Sequence, residues 1–167
     1  CLGGQLLAVA CGGTVAPGRH GPEIGLRSVR LTAGAADDPL LAGVPRVTGD
    51  GPPGPDSPDG PVAFEWHLDT IVDLPPGAVL LATGDTYPHQ AFRVGPCAWG
   101  VQFHPEATTE DVAHWAVHGA DVLAAEGLDT DALLGGLAEA GPRVEHAWRP
   151  VTERFAALVR ETASARR

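Results

Sequence analysis

Cys1, His104 and Glu106 are the residue types that cysteine acyl transfer uses: a thiol nucleophile, an imidazole base and a carboxylate to orient the base. A free thiol is only slightly ionised near neutral pH, so an imidazole that takes its proton turns it into a working nucleophile. A carboxylate on the far ring nitrogen fixes the tautomer and steadies the imidazolium once it forms. On an extended segment alternate residues project to the same side, so the Pro105 spacer lets His104 and Glu106 gather at a strand end. Behind Cys1, Gly3 and Gly4 permit a sharp elbow, and Leu2, Leu6, Leu7, Val9 and Ala10 read as a short helix ended by Gly12-Gly13. A thiolate at that helix N-terminus gains from unpaired backbone N–H groups, and the Leu2 amide points at a developing oxyanion.

These residues need a scaffold that brings positions 1 and 104 together, and the pattern between them is that of an α/β sheet. Glu23 to Thr32 alternates well enough from Gly25 onward for a half-buried strand, and Asp37-Asp38-Pro39-Leu40-Leu41 reads as a capped helical turn. Gly49 to Pro61 holds five prolines, four glycines and three aspartates, a composition that buries no core and predicts a mobile surface loop, an insertion rather than a lid. Val62–Trp66, Ala78–Ala82, Gln90–Val94 and Ala98–Phe103 then read as four short strands separated by Pro and Gly. Thr108 to Asp111 caps a helix running to Gly127, and two more helices follow at Asp131–Ala140 and Val144–Ala163.

At this point the chain resembles the class I, triad-type glutamine amidotransferases. Their pattern is Gly-x-Cys-x-Gly-x-Gln at the elbow and Phe-His-Pro-Glu near the other end. Glu65-Trp66-His67-Leu68-Asp69-Thr70, Leu74-Pro75-Pro76-Gly77-Ala78 and Gln90-Ala91-Phe92-Arg93-Val94-Gly95 extend the likeness toward stand-alone members related to the GMP synthase glutaminase domain. The resemblance implies the C-terminal part of a flavodoxin-like, three-layer α/β domain with a mixed central sheet. It divides the chain into an amidotransferase part over residues 1–127 and a helical extension over 128–167.

It further implies that Cys1 attacks the side-chain amide of glutamine to give a glutamyl thioester and ammonia, with His104 and Glu106 completing a triad. Gln5 would hold the substrate's amino-acid end, Leu2 would give half of the oxyanion hole, and Trp66 and His67 would line the glutamine pocket. No metal or other cofactor is expected. Because the chain opens on the nucleophile and contains no methionine, it is read as a piece lacking the glycine-rich loop that supplies the other oxyanion donor. Loss of one such donor typically costs ~10²–10³-fold in rate, so the chain alone is expected to be inactive.

Composition narrows the alternatives. With 44% hydrophobic and 19% charged residues the 167-residue chain can build one core. Its formal charge is −10, all eleven basic residues are arginine, and only Arg166-Arg167 cluster, which disfavours nucleic acid as a partner. No apolar run approaches the ~20 residues of a membrane helix, and a thiol enzyme suits the reducing cytoplasm.

Cys11 and Cys97 sit in apolar runs and are expected to be small buried hydrophobes. His114 and His118 lie one helical turn apart but lack a third ligand, so a solvated face is expected. Three functions stay open: a glutaminase feeding ammonia to an acceptor, with or without a synthetase partner; a hydrolase of another γ-glutamyl compound; and a non-catalytic binding module.

Overall fold

The computed structural model describes residues 1–44 and 61–165. The proline- and glycine-rich stretch expected to loop over 49–61 therefore lies outside the described residues, apart from Pro61. The elements run α1 (Leu2–Ala10), β1 (Thr14–Pro17), β2 (Glu23–Ser28), β3 (Arg30–Leu31), a 3-10 turn at Ala33–Ala35, β4 (Val62–His67) and β5 (Asp69–Asp73). They continue with β6 (Val79–Thr83), β7 (Ala91–Val94), β8 (Ala98–Val101), α2 (Thr109–His118), α3 (Ala120–Ala125) and α4 (Thr130–Ala165). Among the described residues every ladder is antiparallel: β1 with β5, β2 with β4, and a four-stranded sheet in the order β3-β6-β7-β8.

The strand expected over Glu23–Thr32 divides at Val29. Before it, β2 pairs with β4 over six residues; after it, β3 pairs with β6. Val29 is itself buried and its N–H donates to the Pro61 carbonyl at 3.0 Å, so the chain changes sheet without leaving a backbone donor unpaired. The helical turn expected after Asp37 is present, with Asp38 Oδ1 accepting from the amides of Leu40 and Leu41 at 2.9 and 3.1 Å.

Helix α1 forms as the sequence suggests but turns an unexpected face inward. Gly4, Gln5 and Ala8 are buried, while Leu2, Leu6 and Val9 are exposed. The cause is the closeness of β8: a Cβ on Gly4 would lie 2.6 Å from the Val101 carbonyl oxygen, so only glycine lets helix and strand meet.

The helix expected to run from Thr109 to Gly127 is two helices meeting at Gly119. A Cβ there would fall 2.8 Å from the Trp66 ring, and the break lets the chain bend around that indole. Conversely, the two helices expected after residue 130 are one helix that passes through Pro142 and Pro150. An interior proline costs roughly 3 kcal/mol. Burying Leu137, Val144 and Trp148 returns roughly 1.5–3 kcal/mol each, enough to carry α4 through.

The main core lies between the four-stranded sheet and α4, with Leu41, Leu81, Phe103, Val144 and Trp148 at its centre. The Trp148 and Phe103 rings meet tilted at 4.5 Å, and Trp148 Nε1 donates to the Val62 carbonyl at 2.8 Å, tying α4 to β4. Ala8, Ile71 and Phe92 fill a second core beneath α1. On the far side of β2 and β4, Ile24, Phe64, Val112 and Leu123 pack with α2, α3 and the start of α4.

Candidate active site

Cys1 sits at the N-cap of α1, its carbonyl accepting the first helical hydrogen bond from the Gln5 amide at 3.1 Å. Its half-buried thiol is therefore beside the unpaired N–H groups of the first turn, including that of Leu2, where the helix dipole favours a thiolate. The Sγ lies 3.8 Å from the Trp66 carbonyl oxygen.

The candidate base, His104, comes to the same strand. His104 leaves the end of β8, and its N–H donates to the Phe64 carbonyl at 2.8 Å, forming a single antiparallel bridge. Its Nδ1 hydrogen-bonds Glu106 Oε1 at 2.7 Å, which leaves Nε2 as the nitrogen free for a thiol or a substrate. The His104 bond holds the Glu106 carboxyl below its usual range, against a smaller upward push from burial. The expected pairing of residues 104 and 106 across Pro105 is thus present. Glu106 also lies within electrostatic reach of the Cys1 nitrogen, which puts the two residues near one another.

The supporting wall is aromatic. Trp115 on α2 lies 4.8 Å from the His104 ring, centroid to centroid; Phe64 and Trp66 stack at 6.3 Å, and Trp115 meets Phe64 tilted at 6.3 Å and Trp66 edge-on at 6.0 Å. Helix α2 is held there by a capping box: Thr108 Oγ1 accepts from the Asp111 amide at 3.2 Å, and Asp111 Oδ2 accepts from the Thr108 amide at 3.0 Å. Trp66 is accordingly a wall residue whose own contribution near the thiol is a backbone carbonyl. Trp115 carries no signal of its place beside the base, because in the sequence it reads as one of several apolar residues at helical spacing.

Gln5 is buried, and its Nε2 donates to the Asp69 carbonyl at 2.8 Å, binding α1 to the turn between β4 and β5. His67 is buried as well. Its Nδ1 hydrogen-bonds the same Asp69 carbonyl at 2.9 Å, while Nε2 faces Glu23 Oε2 at 3.2 Å and Glu65 Oε2 at 3.4 Å. Burial opposes a charge on His67, yet the two carboxylates win and raise its pKa to about 9. Burial likewise pushes Glu65 up, whereas bonds from His67, Thr86 and Gln90 outweigh burial at Glu23 and hold it down.

Among the described residues, Glu23, His67 and Glu65 are also the group whose side-chain atoms lie close enough together, within 4.8 Å, to hold a metal ion. A raised imidazole pKa with a proton on each ring nitrogen fills that space with charge of the right sign. Glu23 carries no signal in the sequence, because its partner is 44 positions away.

Two expectations about other residues resolve differently. His114 and His118 are exposed on α2, bonded only through His118 Nδ1 and the His114 carbonyl at 2.9 Å among described contacts, which is the solvated face the spacing suggests. Cys11 and Cys97 are exposed rather than buried. Cys11 follows the last turn of α1 beside exposed Val9 and Ala10, and Cys97 stands in the β7–β8 hairpin turn beside exposed Pro96, so neither apolar run is buried at its cysteine. Among the described residues no helix is long and apolar enough to cross a membrane.

A cysteine at a helix N-cap lies against the same strand as a carboxylate-bound imidazole, and the chain that carries them is similar to known proteins. The family model described as class-I glutamine amidotransferase matches residues 1–116, and the chain belongs to that family. The chain is 34% identical over 123 residues to a glutamine-hydrolyzing GMP synthase subunit of Thermococcus kodakarensis, a match that covers 73% of this chain and 53% of that protein. It is 31% identical over 110 residues to gamma-glutamyl peptidase 5 of Arabidopsis thaliana, covering 66% of this chain and 39% of the relative. The crystal structure of a glutamine amidotransferase from Thermotoga maritima superimposes with a TM-score of 0.73 at 29% identity, over 93% of this chain and 60% of that one. The α/β architecture is therefore the flavodoxin-like fold of class I amidotransferases, and the chain spans about half the length of the curated relative from Thermococcus.

Proposed function

We propose that this chain carries the catalytic half of a glutamine amidotransferase that hydrolyses the glutamine side-chain amide through Cys1, His104 and Glu106. The observation that carries the reading is the common anchorage of nucleophile and base on β4, through the carbonyls of Trp66 and Phe64. His104 takes the thiol proton, Cys1 attacks the amide carbon, and the oxyanion forms against the Leu2 amide at the start of α1. The proton on His104 passes to the leaving nitrogen, releasing ammonia and a glutamyl thioester. Water activated by the same imidazole then frees glutamate. Glu106 fixes the tautomer that leaves Nε2 available at each stage. No step requires a metal or a cofactor.

Gln5, Leu2 and the Trp66 backbone border the substrate side of this site, and His67 stands one layer behind them. Residues 1–127 supply the amidotransferase part and 128–167 the helical extension. The similarity to a subunit of a glutamine-hydrolyzing GMP synthase makes an ammonia-accepting synthetase the natural partner, in the cytoplasm where thiols stay reduced. The likeness to a gamma-glutamyl peptidase favours a second reading, hydrolysis of another γ-glutamyl compound by the same three residues.

Glutamate release from glutamine by the gene's full-length product, with intact-mass detection of an electrophilic glutamine analogue on Cys1, tests the proposal. Turnover with labelling supports the glutaminase. Turnover of γ-glutamyl peptides without that of glutamine selects the second reading, and neither in a folded sample defeats both.

A further inference from the structure

The nucleophile and the base reach the site on separate elements, α1 and the segment after β8. Besides their contacts with β4, a continuous run of hydrogen bonds joins them through the interior. From α1, Gln5 Nε2 donates to the Asp69 carbonyl at 2.8 Å, and the same oxygen accepts from His67 Nδ1 at 2.9 Å. His67 Nε2 donates to Glu23 Oε2 at 3.2 Å, which also accepts from Gln90 Nε2 at 2.9 Å. The Gln90 carbonyl accepts from the Gln102 amide at 2.8 Å, two residues before His104.

Strand geometry explains why the charges collect there. Glu23 lies directly opposite His67 in the β2–β4 register, and Glu65 precedes His67 by two, so all three side chains share one face of the ribbon. Phe64 and Trp66 occupy the other face, toward α2. The three charged residues are at most 3% exposed, and His67 bonds the Asp69 carbonyl that also holds Gln5 of α1. Among the described residues Glu65 has no hydrogen bond to either oxygen beyond its ion pair with His67, which makes the imidazole the one cation that Glu65 and Glu23 share in the interior.

We propose that His67 is a positioning residue: clamped between Glu23 and Glu65, it locks the Asp69 carbonyl and thereby the α1 N-terminus against the strand segment that carries His104. His67 then does not touch the substrate; it sets where Cys1 stands relative to its base. The inference rests on the Cys1–His104 reading above for its kinetic consequence, but its geometric part does not depend on which γ-glutamyl compound is cleaved.

The test uses H67Q and E23Q, singly and together, in the full-length protein. Two readouts are taken: kcat and KM for glutamine, and the iodoacetamide alkylation rate of Cys1 relative to that of exposed Cys97. A positioning role lowers kcat tenfold or more in each single variant with KM within about threefold. The double variant falls no further than the worse single one, because both changes cut one chain of contacts. The relative alkylation rate at Cys1 falls about fivefold.

A tenfold rise in KM with kcat kept in H67Q, and a silent E23Q, makes His67 a substrate ligand and overturns the proposal. If the wild type turns over neither glutamine nor γ-glutamyl peptides, the glutaminase reading fails on its own. The alkylation rate then decides this one, an unchanged rate in both variants defeating it. Should H67Q not fold, the wild type labelled on Cys1 with the glutamine analogue gives the answer by NMR. Absence of any NOE between the His67 ring and the analogue supports positioning, and a direct contact overturns it.

Discussion

The backbone N–H of His104 donates to the carbonyl of Phe64 at 2.8 Å, a lone bridge that registers the base on β4. Two residues along the same strand, the Trp66 carbonyl faces the Cys1 thiol at 3.8 Å. Carbonyls two apart on a strand point the same way, so β4 works as a ruler with Cys1 and His104 at successive marks. A slip of one residue would turn both carbonyls away and exchange the aromatic and charged faces of the strand.

The roles assigned to the three reacting residues predict a ranking. C1S and H104A each lower glutamate release by ~10³-fold or more and leave the thermal unfolding curve in place. E106Q costs less, ~10–100-fold, because Glu106 orients a base and does not move the proton itself. Steady-state assays of the three variants check this, and equal losses for E106Q and H104A would count against the ranking.

The elbow predicts a contrast between neighbouring glycines. In G4A the new Cβ meets the Val101 carbonyl at 2.6 Å, a backbone atom that cannot swing aside, so ~1–3 kcal/mol of stability is lost as α1 is pushed from β8. Nothing lies within 4 Å of the corresponding position at Gly3, and G3A gains ~0.5–1 kcal/mol from helix propensity. Chemical denaturation of the two variants measures the difference.

The buried charges predict how stability varies with pH. The folded pKa of His67, about 9, lies above its ordinary 6.5, so the folded state holds that proton more tightly. Its contribution is complete below pH 6.5 and is lost as pH rises through about 9. Glu65, raised by burial, acts in the same direction at lower pH. Glu23, held low despite burial, acts oppositely: its contribution stands above the usual carboxylate range and fails as pH falls through it. Melting temperatures measured from pH 4 to 10 should decline on the alkaline side in the wild type and lose that decline in H67Q.

The tether between α4 and β4 predicts the cost of one hydrogen bond. W148F keeps most of the ring packing on Phe103 but leaves the buried Val62 carbonyl without the indole donor. The loss is ~1–3 kcal/mol, the desolvation of an unpaired acceptor. Urea unfolding with an unchanged slope checks that the change is in stability alone.

Much of this site is legible in the sequence because its signals are local. The His104–Pro105–Glu106 spacing, the glycine elbow and the Thr108–Asp111 cap each involve residues within a few positions, and each has the geometry its spacing implies. The strands β4, β6, β7 and β8 stand between Pro and Gly punctuation within one or two residues of their expected limits. What stays hidden depends on distant partners. Strand β5 follows β4 after Leu68 alone, so the two read as one motif, and β1 ends on a proline that suggests a loop. The break at Gly119 answers to Trp66, more than fifty positions away, and the continuity of α4 through Pro142 answers to a sheet face that no local pattern reports. The family resemblance implies a place in the substrate pocket for His67; its contact with Glu23, on a different strand, has no local signal.

The proximity of Trp115 to His104, 4.8 Å between ring centroids, gives the protein an optical gauge of its own chemistry. An imidazolium quenches indole emission more strongly than a neutral imidazole does, by accepting an excited electron. A change in the charge of that imidazole would therefore alter the emission of Trp115, and a stopped-flow fluorimeter could test the proposed role of His104 without any added label.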